Sequence, residues 1–320
     1  MRKFLKTAFT LGLSLFLLAA CSLPGLGAST SEDEIVITGG MSTEMQILAY
    51  IVEGMSNHYI DVPTKVISNL GSSSLNHQAL MKDDANVSAV RYTGTSVTGE
   101  LGMDAITDPE KAAETVVKGF DREFDQKWYP TYGFANTYAF MVSRDKAEEL
   151  GLEKVSDLAQ YAPDLKAGVD SSWLSREGDG YEDFKRIYGF DFGQTLPMSI
   201  GLTYSAVAND EVDVILGYST DGRIISEDLK VLEDDKQLFP PYDASPVATH
   251  HILEVHPELD KVLHKLEGTI DEETMQKLNY RADNYLLEPK VVADDWLKAH
   301  NYFEDKAPEL KPIEDTVGGD

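Results

Sequence analysis

The sequence predicts an α/β fold of about two domains. Short β-type runs alternate with amphipathic segments over the first two thirds of the chain, and the last third is mainly helical. Hydrophobic residues make up 42% of the 320 residues, which is typical of a globular chain with room for two cores. Such alternation favours layers of helices on mostly parallel sheets, whose ligands bind in the loops that follow the strands.

Each predicted element has a local signal. Ile47, Leu48, Ile51, Val52 and Met55 recur at helical spacing after a possible N-cap at residue 42 or 43. An N-cap, a proline and an acid follow one another from residue 108, so a second helix starts there and runs to about residue 120. The predicted strands span 34–38, 64–67, 86–92, 136–143, a segment near 167, and 212–218. The other predicted helices span 75–82, a segment near 156, 181–188, 201–208, 257–267, 271–284 and 291–300.

The N-terminus indicates export. Three basic residues precede an uncharged apolar run, and the run ends at Ala19-Ala20-Cys21. This pattern resembles the signal and lipobox of bacterial lipoproteins, so we expect a signal peptide over 1–20, lipidation of Cys21 and a tether over 21–32. The resemblance implies a chain anchored by lipid on the extracytoplasmic face of the cell membrane. Cys21 is the only cysteine, which excludes an intrachain disulfide.

The charge excludes some partners. The chain has 28 basic and 55 acidic residues and a net charge of −27, so its surface repels phosphate backbones and anionic lipid. Nucleic-acid binding is therefore not expected. The segment 304–320 is acidic and rich in Pro and Gly, and we expect a solvated tail there.

Four loop segments place a tyrosine beside Gly, Pro, Ser or Thr at a predicted strand end. They read Tyr-Thr-Gly-Thr from residue 92, Asn-Thr-Tyr-Ala from 136, Tyr-Ser-Thr-Asp-Gly from 218 and Phe-Pro-Pro-Tyr from 239. Taken singly, each tyrosine is more simply interpreted as a half-buried core residue with a wet hydroxyl. Their order and spacing carry the further interpretation.

The four segments, with Asp234-Asp235-Lys236 before the last, resemble the osmoprotectant-binding proteins of betaine, carnitine and choline ABC transporters. The resemblance covers residues 35 to about 303. It implies a two-lobed, periplasmic-binding-protein-like fold of type II with the ligand cleft between the lobes. Lobe I would comprise 33–135 plus 243–303, and lobe II would comprise 136–242.

The resemblance also implies a cage of four tyrosines around a cation, formed by Tyr92, Tyr138, Tyr218 and Tyr242. A quaternary ammonium has no N–H to donate, and its charge is spread over methyl groups. Aromatic faces therefore bind it where ordinary hydrogen bonds cannot, at roughly 0.5–2 kcal/mol per ring. The expected ligand is glycine betaine, with carnitine, proline betaine and choline as further candidates.

For the carboxylate of such a ligand, the resemblance implies contacts with Thr95 and Arg176. Choline-restricted members of the family tend to have Asp at the position of Thr95, so the threonine favours zwitterions. An arginine suits a carboxylate because its fork can form two bonds, although a surface ion pair with Glu177 or Asp179 explains Arg176 equally well. Backbone N–H groups at the start of the first helix are further candidates, and Gln46 is one position away from the family's polar contact.

Other functions fit less well. The chain has no Gly-x-Ser-x-Gly motif of the kind that a serine hydrolase uses. No zinc-site spacing is matched by its clustered histidines, His250, His251, His256 and His264. A binding protein for an amino acid or another small solute on the same fold remains the main alternative, ahead of a metal-binding lipoprotein and an adhesin. The implied mechanism is binding and lobe closure without chemistry or cofactor, by a monomer that delivers its ligand to a membrane permease driven by a separate ATPase.

Overall fold

Two five-stranded sheets organise the protein. The structure, a computed structural model, describes residues 34–176 and 178–309. The strands of the first sheet are β1 Ile35–Gly40, β2 Thr64–Leu70, β3 Val87–Tyr92, β4 Gln126–Trp128 and β10 Ala244–Thr249, and they lie in the order β2-β1-β3-β10-β4. The strands of the second are β5 Tyr138–Ser143, β6 Lys166–Asp170, β7 Gln194–Met198, β8 Val214–Tyr218 and β9 Leu229–Val231, in the order β7-β6-β8-β5-β9.

Helices cover both faces of the sheets. In chain order they are α1 Thr43–Tyr59, α2 Ser73–Met81, α3 Thr93–Thr98, α4 Pro109–Phe124, α5 Arg144–Leu150, α6 Tyr181–Tyr188, α7 Ile200–Ala208, α8 Arg223–Ser226, α9 His250–Val255, α10 Pro257–Lys265, α11 Glu272–Tyr285 and α12 Pro289–Ala299. Short 3-10 turns lie at Val155–Gln160, Ala162–Asp164, Trp173–Ser175 and Asn301–Phe303. None of the helices in the described ranges is long and apolar enough to cross a membrane.

Because side chains alternate along the strands, each sheet has a separate hydrophobic core on each of its two faces. In β1, Ile35 and Ile37 pack with the buried face of α1, whereas Val36 packs on the opposite side with α4 residues such as Phe120. In β5, the side chains of Phe140 and Met141 likewise enter different cores. Each sheet is therefore buried on both faces, as the predicted α/β class requires.

The prediction of mostly parallel sheets is wrong. Each sheet contains two parallel and two antiparallel pairings. The antiparallel pairings involve β10 in the first sheet and β5 in the second. These are the strands that begin just after the chain has passed from one sheet to the other, so each runs against its neighbours.

The boundaries of the elements agree with the sequence in most places. Ser42 and Asp108 are N-caps, since their side chains accept from the backbone N–H of Met45 and Lys111. The helix from Pro109 is longer than predicted because it ends only at Asp125, which adopts a left-handed conformation. The prediction missed eight elements, α3, β4, α5, β7, α8, β9, β10 and α9, and the segment near Ser156 is a 3-10 turn rather than an α-helix.

Two adjacent segments connect the sheets. Ala135 and Asp243 form an isolated antiparallel bridge, and the Asn136 N–H donates to the Tyr242 carbonyl over 3.1 Å. These segments lie at the predicted lobe boundaries, although the boundaries themselves stay a prediction.

The predicted signal peptide, Cys21 and the whole predicted tether lie outside the described residues, as do positions 310–320. At the start of the predicted tail, Glu304 contacts His58 at 2.9 Å, so this part of the tail packs on the body of the protein.

Candidate ligand-binding site

One cavity of about 260 Å³ brings all six predicted ligand residues together. It lies where the two connecting segments meet the carboxyl ends of β3 and β8. Its lining residues are Tyr92, Thr95, Asn136, Thr137, Tyr138, Arg176, Tyr218 and Tyr242. The volume is just below the usual range for drug-sized ligands, so the cavity suits a small solute. Whether these residues bind a ligand stays a prediction.

Strand register creates the aromatic wall on the side of the second sheet. Tyr138 begins β5 and Tyr218 ends β8, and the two residues lie directly opposite each other in the antiparallel pair. Their rings stack with centroids 5.3 Å apart and planes at 20°, as expected for a cross-strand aromatic pair. Phe239 supports Tyr138 from behind, with ring centroids 5.8 Å apart. Tyr138 is buried, but 39% of Tyr218 is exposed, so Tyr218 offers a free ring face.

The opposite wall depends on α3, which packs closely on the second connecting segment. The Gly94 N–H donates to the Pro241 carbonyl over 2.9 Å. A Cβ at Gly94 would lie 2.7 Å from that oxygen and 3.0 Å from the Tyr242 ring, so no other residue fits without a shift. The Thr93 hydroxyl also donates to the Pro241 carbonyl, over 2.9 Å. These contacts explain the Thr-Gly pair and hold Thr95 and Tyr242 at the same cavity.

The contacts of Arg176 fit both interpretations left open by the sequence, a local ion pair and a position at the ligand site. Its Nε forms an ion pair with the Asp179 carboxylate at 2.6 Å, and its Nη2 donates to the Tyr242 hydroxyl over 2.9 Å. The guanidinium carbon lies 5.5 Å from the centroid of the Tyr138 ring. Arg176 is thus part of a local ion pair and also reaches the cavity, with 38% of its side chain exposed. The neighbouring Glu177 lies outside the described residues.

The surroundings of three of the four cavity tyrosines, Tyr92, Tyr138 and Tyr242, favour the neutral phenol. Burial raises the pKa of Tyr138 and of Tyr242. Burial and the negative charge of Glu44 raise the pKa of Tyr92 well above its ordinary value. A neutral phenol keeps a hydroxyl proton to donate and an uncharged ring face for a cation.

A hydrogen-bond network behind Tyr92 was missed by the sequence reasoning. The Tyr92 hydroxyl donates to Glu44 Oε1 over 2.5 Å, and Asn136 Nδ2 donates to the same oxygen over 2.9 Å. Asn279 Nδ2 donates to Glu44 Oε2 over 3.3 Å and to the Thr220 carbonyl over 2.8 Å. The only sequence signal was an acidic residue in the first turn of a helix that follows a strand.

The start of α1 is adjacent to the tyrosine cavity but does not line it. Ser42, Thr43 and Glu44 line a neighbouring cavity of about 290 Å³, which shares Asn136 and Tyr218 with the first. Gln46 Nε2 instead donates to the Met41 carbonyl over 3.3 Å and to Asn69 Oδ1 over 3.1 Å. The shift of Gln46 by one position thus turns its amide toward β2.

Two other features do not form competing sites. A larger groove of about 840 Å³ lies between β9 and α11, but charged side chains such as Lys230 and Lys277 line it, and none of the predicted ligand residues does. Within 34–176 and 178–309, no three His, Cys, Asp or Glu side chains come together as metal ligands. His250 contacts Asp121 at 2.8 Å, whereas His264 is buried and bonds the Asp260 carbonyl.

The two mixed sheets, with a small aromatic cavity at the connecting segments, define a type II solute-binding protein. A family model described as the substrate binding domain of ABC-type glycine betaine transport systems matches residues 33–299. The chain belongs to this family. Its fold class and its membership, both expected from the four loop segments, are confirmed.

Relatives from two bacteria support the assignment. The carnitine transport binding protein OpuCC of Listeria monocytogenes is 51% identical over 293 residues, covering 92% of this chain and 94% of that protein. The glycine-betaine-binding protein of Pseudomonas aeruginosa strain PAO1 is 32% identical over 300 residues, covering 90% of this chain and 94% of that protein.

A solved structure agrees with the fold. The crystal structure of a glycine betaine/carnitine/choline ABC transporter protein matches with a TM-score of 0.83 and 51% identity. The match covers 84% of this chain and 100% of the other. The chain is thus the substrate-binding protein of an osmoprotectant ABC transport system.

Proposed function

We propose that this protein captures a small quaternary-ammonium zwitterion, glycine betaine or carnitine, in the tyrosine cavity and delivers it to a membrane permease. One observation carries the proposal. Four tyrosines predicted from separate segments surround a single cavity together with Thr95 and Arg176. Aromatic faces recognise the methylated cation, and the guanidinium offers a partner for a carboxylate at the other end.

The presence of Arg176 favours zwitterions over choline. A guanidinium beside the cavity repels a ligand that is only cationic, whereas it attracts the carboxylate of betaine or carnitine. Thr95 is compatible with the same ligands, since a hydroxyl can donate to a carboxylate. We therefore expect the affinity order to place betaine and carnitine above choline, with proline betaine as a further zwitterionic ligand.

A binding protein for an amino acid is the second candidate. A primary ammonium usually needs an acidic partner, and Glu44 is the acid nearest to the tyrosines. Its two oxygens already accept three hydrogen bonds, however, and it lines the neighbouring cavity rather than the tyrosine cavity. The tyrosine cavity itself is lined by no carboxylate among the described residues.

The ligand would favour closure because it touches residues on both sheets. Tyr92 ends β3 of the first sheet and Thr95 lies in α3 directly after it, whereas Tyr138 and Tyr218 belong to the second sheet. Only a ligand that binds the closed arrangement better can shift the balance toward it. The protein acts by this binding step, as a monomer without catalysis or cofactor, and a separate ATPase drives transport.

We place the protein outside the cytoplasm, anchored by lipid on Cys21. The support is the sequence Ala19-Ala20-Cys21 after a basic start and an apolar run. A Cys21→Ser variant is expected to lose its association with the membrane fraction; unchanged association would contradict the anchor.

Calorimetric titration of the full-length protein in mild detergent tests the ligand. Glycine betaine, carnitine, choline and glutamine are titrated separately into the same preparation. We expect saturable binding of betaine or carnitine and none of glutamine. Binding of glutamine alone would leave the fold intact and overturn the proposed ligand class.

A further inference from the structure

Glu44 is a buried carboxylate without a basic partner. It lies in the first turn of α1 and is 3% exposed. Its contacts are three neutral donors: the Tyr92 hydroxyl at 2.5 Å, the Asn136 amide at 2.9 Å and the Asn279 amide at 3.3 Å. Within the described ranges it forms no ion pair with Lys, Arg or His. All three neighbours donate, which is the arrangement that an ionised carboxylate needs.

Two other carboxylates with buried side chains are each paired with an arginine. The Glu100 side chain is 3% exposed and lies 3.1 Å from the Arg91 guanidinium. The Asp179 side chain is 5% exposed and lies 2.6 Å from Arg176. A buried charge without a counter-ion is costly, and neutral hydrogen bonds offset only part of that cost. The position of Glu44 therefore suggests a counter-charge that the described residues do not supply.

A cationic ligand in the tyrosine cavity would lie close enough to Glu44 to supply such a counter-charge. Tyr92 and Asn136 both contact Glu44 and both line the cavity, so Glu44 lies directly behind that wall. At the opposite side, Arg176 contacts Tyr242 and lies over Tyr138. The cavity thus has a carboxylate without a basic partner behind one wall and, on the side of the second sheet, a guanidinium that is paired with Asp179 but still reaches the cavity.

We infer that Glu44 is a positioning residue whose negative charge, acting through the Tyr92 wall, attracts the ligand's cation and orients the zwitterion. The ammonium end lies toward Tyr92 and Asn136, and the carboxylate end lies toward Arg176. Glu44 need not touch the ligand, because Coulomb attraction extends beyond contact distance in a site shielded from water. This inference rests on the proposed function, since it requires a cationic ligand in the cavity.

The test compares Glu44→Gln with a matched control. Glu44→Gln keeps the shape and one acceptor for Tyr92 but removes the charge. Asp283→Asn removes the same charge from an exposed residue of the neighbouring cavity, where water screens it. The affinity of the full-length protein for glycine betaine is measured by calorimetry. We expect a loss of about tenfold or more for Glu44→Gln, against less than about twofold for Asp283→Asn.

A double-mutant cycle with Tyr92→Phe separates the charge from the hydrogen bond. If the charge of Glu44 attracts the ligand, Glu44→Gln should weaken betaine binding both in the otherwise unchanged protein and in the Tyr92→Phe variant. If Glu44→Gln has no effect once the hydroxyl is absent, Glu44 only holds Tyr92 in place, and the electrostatic role is overturned. Unchanged affinity in the single variant overturns it as well.

A neutral ligand isostere gives a readout that a structural role would not produce. The alcohol 3,3-dimethylbutan-1-ol has the shape of choline with carbon in place of nitrogen, and it is used as a competitor of betaine. An electrostatic role predicts that Glu44→Gln leaves competition by the alcohol unchanged while it weakens choline. Equal losses for both would indicate a distorted wall instead. Failure of the unmodified protein to bind any quaternary ammonium would instead refute the proposed function.

Discussion

Each wall of the cavity contains a tyrosine that donates to a carboxylate, but the two pairs differ in charge. On the side of the first sheet, Tyr92 donates to Glu44, which has no basic partner within the described ranges. On the side of the second, Tyr138 donates to Asp170 over 2.9 Å. Burial opposes ionisation of Asp170, but hydrogen bonds from Ser172 and Tyr138 and the charge of Arg176 lower its pKa. The carboxylate behind Tyr92 therefore has no basic partner, whereas the one behind Tyr138 also experiences the charge of Arg176.

In the proposed site, this difference would let a cage of similar rings recognise an asymmetric ligand. Each of the four tyrosines offers a methylated cation a negative ring face, so the rings alone do not orient the ligand. The fixed charges break that equivalence, because the cation gains most beside Glu44 and the carboxylate gains most beside Arg176. Recognition of the methyl groups and orientation of the ligand thus depend on different residues.

The supports of the two walls differ as well, and the largest expected effect tests that difference. Arg91 and Glu100 form a buried pair beneath α3, and burial lowers the pKa of Arg91 to about 10 against the opposing effect of Glu100. Glu100→Ala leaves a buried guanidinium without its partner, so the free energy of unfolding should fall by about 3–5 kcal/mol. Arg144→Ala breaks an exposed pair beside the second sheet and should cost less than about 1 kcal/mol. Urea unfolding of both variants checks this, and equal losses would contradict a special role for the buried pair.

The next effect concerns the positive side of the cavity. Arg176→Ala removes the charged donor expected to bind the ligand carboxylate, and hydrogen bonds to charged groups contribute roughly 1.5–3 kcal/mol. We therefore expect the affinity for betaine and carnitine to fall about 10- to 100-fold, while the affinity for choline stays the same or rises. Calorimetry with the three ligands checks the shift in preference. A parallel loss for all three would mean that Arg176 supports the wall rather than the carboxylate.

Tyr218→Ala separates binding from stability on the second wall. Because Tyr218 is 39% exposed, its removal should change the free energy of unfolding little. Loss of one ring face should weaken betaine binding about tenfold, within the range of roughly 0.5–2 kcal/mol for a cation–π contact. Affinity and urea unfolding are measured on the same preparation. Unchanged affinity would exclude Tyr218 from the cage.

The sequence was informative where a residue's role is set by local pattern. The N-cap Asp108 and the buried face of α1 followed from local pattern, and the N-cap of α1 was narrowed to Ser42 or Thr43, of which Ser42 is the cap. The six cavity residues came from motif resemblance, because no spacing rule places Thr95 and Tyr242 at the same cavity. That arrangement requires α3 to pack on the second connecting segment through Gly94, and α3 was itself not predicted.

Residues whose role depends on the absence of a partner could not be predicted. Glu44 is separated by 92 positions from Asn136 and by 235 from Asn279, and the lack of a nearby cation is visible only in three dimensions. Strands β10 and β7 were missed for a related reason. Ala244–Thr249 and Gln194–Met198 each contain a proline, which weakens a strand signal that tertiary pairing then overrides.

The smallest expected effect returns to the two tyrosine–carboxylate pairs. Asp170→Asn removes a negative charge whose attraction for the ligand is weakened by the nearby Arg176, so betaine affinity should fall by no more than about threefold, compared with about tenfold or more for Glu44→Gln. The two variants delete the same charge beside equivalent hydroxyls, and calorimetry under identical conditions compares them directly. If Asp170→Asn costs as much as Glu44→Gln, both carboxylates act by holding a tyrosine. A larger loss for Glu44→Gln alone identifies the unbalanced charge as the feature that distinguishes the two walls.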